Sequence, residues 1–278
     1  MVLVLALVAA WAASGVVVAR VLTRRARPVF EEPAPPGHVA LRLRTSDGLS
    51  LGAWYRERVD ERAAVVLVHG NGGSRTLVRA HAARLHELGC SVLSVSLRAH
   101  GDSEGDVNDL GYSARFDVLA ATAHLRAHAP ARRVVVVGLS LGAAAALYAS
   151  PELDVDGYVL AAPYADLRLA TRRRTRRYLP HGLDVLAYEA LVLGARVWLP
   201  DLDRLRPAAH ARIRSHVPVV IVVGERDDRA PRSDADAIAA SVPQAWIELV
   251  ANADHEATLA HVTSAQGVAA IERVLGPR

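Results

Sequence analysis

"VVVVGLSLGAAAAL", residues 134–147, passes from four consecutive valines through Gly-Leu-Ser-Leu-Gly into an alanine-rich stretch. Valine runs favour a buried strand and alanine runs favour a helix, so Ser140 falls at a strand-to-helix turn. Ligands of open parallel sheets bind at the carboxyl ends of the strands. A turn there holds its residue up into the cleft. Gly138 and Gly142 make so sharp a turn possible, because side chains at those positions would collide with the neighbouring strand and helix. The helix beginning behind Ser140 directs its positive end at whatever binds beside the hydroxyl.

A serine hydroxyl is a weak nucleophile unless a base takes its proton, and the base needs a carboxylate to fix its tautomer. On this architecture the order along the chain is Ser, then Asp or Glu, then His. Downstream, the strand pattern "PVVIVVGERDDRAP" (218–231) ends in two aspartates, and "AWIELV" (245–250) leads into "ANADHEATL" with His255. Asp227 is the candidate acid, three residues past Gly224 and four before Pro231. Asp228 suits a turn or a helix cap. His255 is the candidate base, while His261 reads as a helix surface residue and Asp254 as a turn residue. A developing oxyanion needs backbone N–H donors already in place. Leu141 supplies one candidate. The glycine-rich loop in "VVLVHGNGGSR" (65–75) supplies the other at Asn71, with His69 as a loop brace. That loop lacks the lysine and Ser/Thr of a phosphate-binding loop. No histidine or carboxylate spacing resembles a zinc site, so neither metal nor cofactor is expected.

The rest of the chain reads as alternating strands and helices, which implies a mostly parallel sheet covered on both faces. "VALRLRTSDGLSLGAWYRE" (39–57) is a hairpin pattern around Ser46-Asp47-Gly48. Strands are predicted over 64–68, 91–97, 134–137, 155–161, 218–223 and 245–250. Helices are predicted over 76–88, 112–128, 141–149 and 262–275. Between Pro163 and Val217 helical patterning runs on without a strand, too far for a simple crossover. It reads as a helical cap inserted over about 164–216. The cap contains "TRRRTRRYLPHG" (171–182), whose five arginines suit either a solvated helix face or contact with anionic lipid headgroups.

The N-terminus has a different character. Residues 2–19 carry no charge, and Arg20, Arg24, Arg25 and Arg27 follow. As a helix this stretch spans a hydrocarbon core of roughly 30 Å. The reading is a transmembrane anchor over 1–22, a polar linker over 23–37 and a globular domain over 38–278, with the arginine side in the cytoplasm. A cleaved signal peptide with Ala10-Trp11-Ala12 at its cleavage site is the alternative, but no basic segment precedes the apolar run. The 278 residues carry 33 basic side chains, all arginine, against 29 acidic ones, a net charge of +4. Without aromatics among the basic clusters, that excess does not suggest nucleic-acid binding. The lone cysteine, Cys90, excludes a disulfide framework and reads as a small core residue.

"HGNGGS" (69–74), "RAHGDSEG" (98–105), "GLSLG" (138–142), "GERDDRAP" (224–231) and His255 occur in order at suitable intervals. Together they resemble the α/β-hydrolase superfamily, especially its membrane-anchored Bem46-like serine hydrolases. The resemblance covers roughly residues 39–278. It implies a nucleophile elbow at Ser140, Asp227 as acid, His255 as base, Asn71 and Leu141 as oxyanion donors, and residues 98–105 as a structural loop beside the site. The implied reaction is hydrolysis of a small-molecule or lipid ester, or a thioester, through an acyl-enzyme. A serine peptidase of the same fold and a catalytically silent binding module remain the alternatives.

Overall fold

The computed structural model describes residues 1–128, 133–199 and 202–275. Two residues of the predicted cap and the last three of the predicted domain lie outside them. The chain begins with a long helix, α1 (Val2–Thr23), followed after an irregular segment by the expected hairpin, β1 (Val39–Arg44) and β2 (Ser50–Arg56). Strands and helices then alternate: β3 (Ala63–Val68), α2 (Arg79–Glu87), β4 (Cys90–Val95), α3 (Arg115–His128), β5 (Val134–Leu139), α4 (Leu141–Ala149) and β6 (Gly157–Ala161). The strand-free interval holds α5 (Leu167–Tyr178), α6 (Leu183–Trp198), a 3-10 turn at Leu202–Arg204 and the single turn α7 (Pro207–His210). Then come β7 (Val219–Gly224), α8 (Arg232–Ser241), β8 (Ala245–Val250), α9 (His255–His261) and α10 (Val268–Leu275).

The strands form one eight-stranded sheet in the order β1-β2-β4-β3-β5-β6-β7-β8. Strands β3 to β8 run parallel, and the β1–β2 hairpin joins antiparallel to β4. Every residue of β3, β4, β5, β6 and β7 is buried, which is why they read as unbroken apolar runs rather than alternating ones. Along β5 the faces nevertheless alternate. Val134 and Val136 pack towards α3, α4 and α8, and Val135 and Val137 towards α2 and α10. Cys90 opens β4 fully buried, and burial pushes its thiol up to about 12.

The C-terminal helices differ from the sequence expectation. No helix was expected between 224 and 245, yet α8 occupies part of that interval. The closing helix expected over 262–275 starts only at Val268, as α10, and a separate helix that was not expected, α9, precedes it and ends at His261. Gly267 marks the break, since a Cβ there would run into the His261 carbonyl.

The polar segment over 23–37 is not a free tether. The Glu32 carboxylate is buried, accepting hydrogen bonds from Thr76 Oγ1 and Ser96 Oγ, both at 2.7 Å, and facing Arg75 Nη1 at 3.1 Å. Arg25 donates to the carbonyls of Gly101, Ser103 and Gly105. These partners are remote in sequence, so local composition could not announce them.

α1 is long and apolar enough to cross a membrane by length and composition, and only 11% of its most apolar window is buried. It lies against α6, where small residues bring the backbones together: a Cβ on Gly15 would strike Ala190, and one on Gly194 would strike Gly15. Trp11 Nε1 donates to the Leu186 carbonyl at 3.0 Å, and Trp198 Nε1 to the Val16 carbonyl at 2.9 Å.

Candidate active site

The sheet register decides where the candidate residues can meet. Val68 pairs with Gly138, Leu139 with Ala161, and Gly224 with Val250, so β3, β5, β6, β7 and β8 end along one edge. Asn71, Ser140, Asp227 and His255 all follow within five residues of those ends.

Ser140 turns from β5 into α4 with φ +50° and ψ −107°, a left-handed conformation that costs energy in a residue with a side chain. Its N–H donates to the Ala161 carbonyl at 2.8 Å, which helps hold the turn. A Cβ at Gly138 would come within 2.7 Å of the Ala143 Cα, and one at Gly142 within 2.5 Å of the Val68 carbonyl oxygen. The two glycines therefore clear the helix behind and the strand beside the turn.

His255 is the first residue of α9. Its Nδ1 lies 2.8 Å from Asp227 Oδ2, and the Ser140 hydroxyl lies 3.1 Å from its Nε2. An ionised carboxylate only accepts, so Nδ1 carries the hydrogen and Nε2 turns its lone pair to the serine. Asp227 is almost fully buried, and its second oxygen accepts from the N–H groups of Arg229, at 3.0 Å, and Ala230, at 2.9 Å. A buried carboxylate so saturated is fixed in place.

The residues weighed against these lie elsewhere. Asp228 forms an ion pair with Arg177. Asp254 caps α9, accepting from the Ala257 N–H at 2.9 Å. His261 Nε2 faces Glu248 Oε1 at 2.9 Å.

The loop after β3 is held by two imidazoles. His69 is completely buried; its Nδ1–H donates to the Gly70 carbonyl at 2.7 Å and its Nε2 accepts from the Leu97 N–H at 3.0 Å. Burial, with the neighbouring His100 and Arg75, pushes its pKa down to about 3, so it stays neutral. His100 answers from the opposite loop. Its Nε2 accepts from the Gly72 N–H at 3.2 Å and its Nδ1–H donates to the Arg98 carbonyl at 2.8 Å. His100 lies in the 98–105 segment expected to be a structural loop beside the site, but its imidazole was given no role there. Arg98 holds the same loop through Asp117, at 2.7 Å, and Asp47, at 2.7 Å.

The alpha/beta hydrolase family matches residues 65–271, a span that takes in all five candidate positions. The chain belongs to the alpha/beta hydrolase family. Among curated proteins the chain is similar to two uncharacterized proteins from strains of Mycobacterium tuberculosis. Each is 28% identical over 211 residues, which is 73% of this chain and 66% of the relative, just under two thirds of its length. Among solved structures it is similar to an esterase of Pyrococcus furiosus, with TM-score 0.69, 20% identity, and coverage of 90% of this chain and 97% of the other. It is also similar to a serine hydrolase without a lid from Xanthomonas campestris, with TM-score 0.59, 18% identity, and coverage of 91% and 100%. At such identities the likeness carries the fold.

Ser140 and His255 face a cavity of about 600 Å³, within the range of small-molecule sites. Asn71 and Leu141 line the same cavity. Its far walls are mostly apolar and come from α5, α6 and α1, so the strand-free interval does cover the site. Of the five arginines over 171–182, Arg173 is half-buried and the other four are exposed. Arg173 makes a two-pronged ion pair with Asp234, at 2.7 and 2.9 Å, and Arg176 lies 3.7 Å from Asp184. Arg172 sits over the Tyr188 ring and Arg174 lines the cavity.

Proposed function

We propose that the protein is a serine hydrolase that cleaves a carboxylic ester through an acyl-enzyme. The hydrogen-bonded series Asp227–His255–Ser140, at 2.8 and 3.1 Å beside an apolar cavity, carries this reading. His255 Nε2 takes the hydroxyl proton as Ser140 Oγ attacks the ester carbonyl carbon. The carbonyl π electrons move onto oxygen, and the N–H groups of Asn71 and Leu141 receive that charge. Leu141 opens α4, where the first N–H groups have no partner within the helix. As the intermediate collapses, the C–O bond to the alcohol breaks and His255 returns its proton to the departing oxygen. Water, deprotonated by the same imidazole, then attacks the acyl-enzyme. Ser140 leaves with the proton, and the free acid is released.

Asp227 supports this cycle by fixing the ring orientation and by stabilising the imidazolium formed in each half-reaction. The resemblance to the Bem46-like group and the apolar α1 fit a single-pass anchor with the catalytic domain on the cytoplasmic side. Hydrolysis of p-nitrophenyl butyrate by the purified full chain tests the reading. Substitutions S140A and D227N should each lower kcat by about 10⁴-fold. An inactive wild type, or an S140A variant that retains the rate, would overturn it.

A further inference from the structure

The reactive cavity is walled in part by the membrane-length helix itself. Ser14, Val18 and Leu22 line it. Spaced four apart, they form one stripe along α1, as residues of a single helix face do. Opposite them stand Thr175, Tyr178 and Leu179 from α5. Ala187, Ala190 and Leu191 of α6 close a third side. The serine and its base face into the same space.

A second face, with Gly15 and Ala19 buried, packs on α6; the rest of α1 is exposed, and Val18 and Leu22 are themselves open in part at the cavity's edge. Val17 and Val21, on neighbouring ridges, are 63% and 49% exposed and do not line the cavity, and Leu3, Leu5 and Leu7 are exposed still further along. An uncharged apolar surface of this length matches a bilayer interior. α6 adds to it, with Leu186, Leu193 and Val197 exposed beside α1. The helix thus carries hydrocarbon-compatible surface that runs up to the edge of the reacting serine's cavity, where Val18 and Leu22 border both. Its backbone is also fixed to the catalytic domain by the Trp11 and Trp198 hydrogen bonds to and from α6. A mere tether would need neither the stripe nor the fixed docking.

We propose that α1 is a substrate-binding element: the acyl chain of a membrane-resident ester lies in the cavity against Ser14, Val18 and Leu22, with its carbonyl at Ser140. This rests on the serine-hydrolase reading and adds to it the substrate class and the route. The chain moves from the bilayer into the space enclosed by α1, α5 and α6 without crossing water, and the ester group reaches the nucleophile last.

The test uses the full-length protein in phosphatidylcholine vesicles, with p-nitrophenyl palmitate in the same bilayer and p-nitrophenyl butyrate in the water. V18W fills the cavity from the α1 side, and V17W places the same bulk on the outer face. V18W should lower the palmitate-to-butyrate ratio of kcat/KM by about tenfold or more, in line with the loss of several methylene contacts. V17W should leave that ratio at the wild-type value. An equal ratio in V18W and wild type would overturn the proposal while leaving the esterase reading intact. A wild type unreactive towards both esters and towards a fluorophosphonate would remove the underlying reading, and the proposal with it.

Discussion

The side-chain amide of Asn108 donates to the Asn71 side-chain carbonyl at 2.8 Å, while the Asn108 backbone N–H donates to the carbonyl of Thr23, the last residue of α1, at 2.7 Å. One residue therefore joins the end of the N-terminal helix to the loop that offers a candidate oxyanion donor. N108A keeps the backbone bond and removes two side-chain bonds, the one to Asn71 and the one accepted from the Leu110 N–H at 3.1 Å. Misplacement of a donor by a fraction of an ångström costs activity without weakening ground-state binding. Steady-state kinetics on p-nitrophenyl butyrate should show kcat lowered by roughly 10- to 100-fold, with KM nearly unchanged.

The turn at Ser140 depends on missing atoms. In G142A the new methyl would lie 2.5 Å from the Val68 carbonyl oxygen, a backbone atom that cannot rotate away. Either β3 or the turn must shift. Urea unfolding should report a loss of about 1–3 kcal/mol, and ester hydrolysis should fall much further than stability does.

Acid should destabilise the protein through His69. Its folded pKa, about 3, lies below the ordinary histidine value of 6.5, so the unfolded chain binds a proton that the native one refuses. The stabilisation is complete above pH 6.5 and is lost as pH falls towards 3. Between pH 6.5 and 5 the change is on the order of 2 kcal/mol for this fully buried group. His100, also shifted down by burial, adds in the same direction. Thermal melts at pH 7.5 and 5.0 should show this loss, and H69Q should show a shallower dependence on pH.

Glu32 joins the segment after α1 to the catalytic domain. Burial raises its pKa, but hydrogen bonds from Ser74, Ser96 and Thr76 and the charge of Arg75 outweigh that and hold the carboxyl below its usual range. E32A would leave Arg75 with Asp102, at 2.5 Å, as its remaining carboxylate partner in this cluster. Removing one member of a buried charged cluster costs about 3–5 kcal/mol. The surviving pair should keep the loss near the lower figure, read as a fall in the urea midpoint.

What could be read from the sequence was what local chemistry writes into consecutive residues. The four valines before Gly138, the alanines after Gly142 and the aspartate and histidine just past two later strands announced a rim where they could meet. The sheet's register brought Ser140, Asp227 and His255 to that rim. α8 was missed because "RSDADAIAAS" is short and interrupted by acidic residues, so its buried face of Asp234, Ala235 and Ile238 makes a weak helical signal. Glu32 looked like linker because the partners of its carboxylate lie 42 or more residues away along the chain. The stripe of Ser14, Val18 and Leu22 was hidden inside an apolar run whose faces all look alike until α6 packs on one of them. Arg25, counted as a flanking positive charge, instead binds loop carbonyls.

The central claim is that Ser140 is a nucleophile activated by His255. Its most direct test is treatment of the full-length protein with a fluorophosphonate, followed by peptide mass spectrometry to locate the adduct. The account predicts a single covalent phosphonyl group on Ser140, formed in wild type and absent after His255→Ala. Modification at another residue, or an unmodified Ser140 in folded protein, would contradict it.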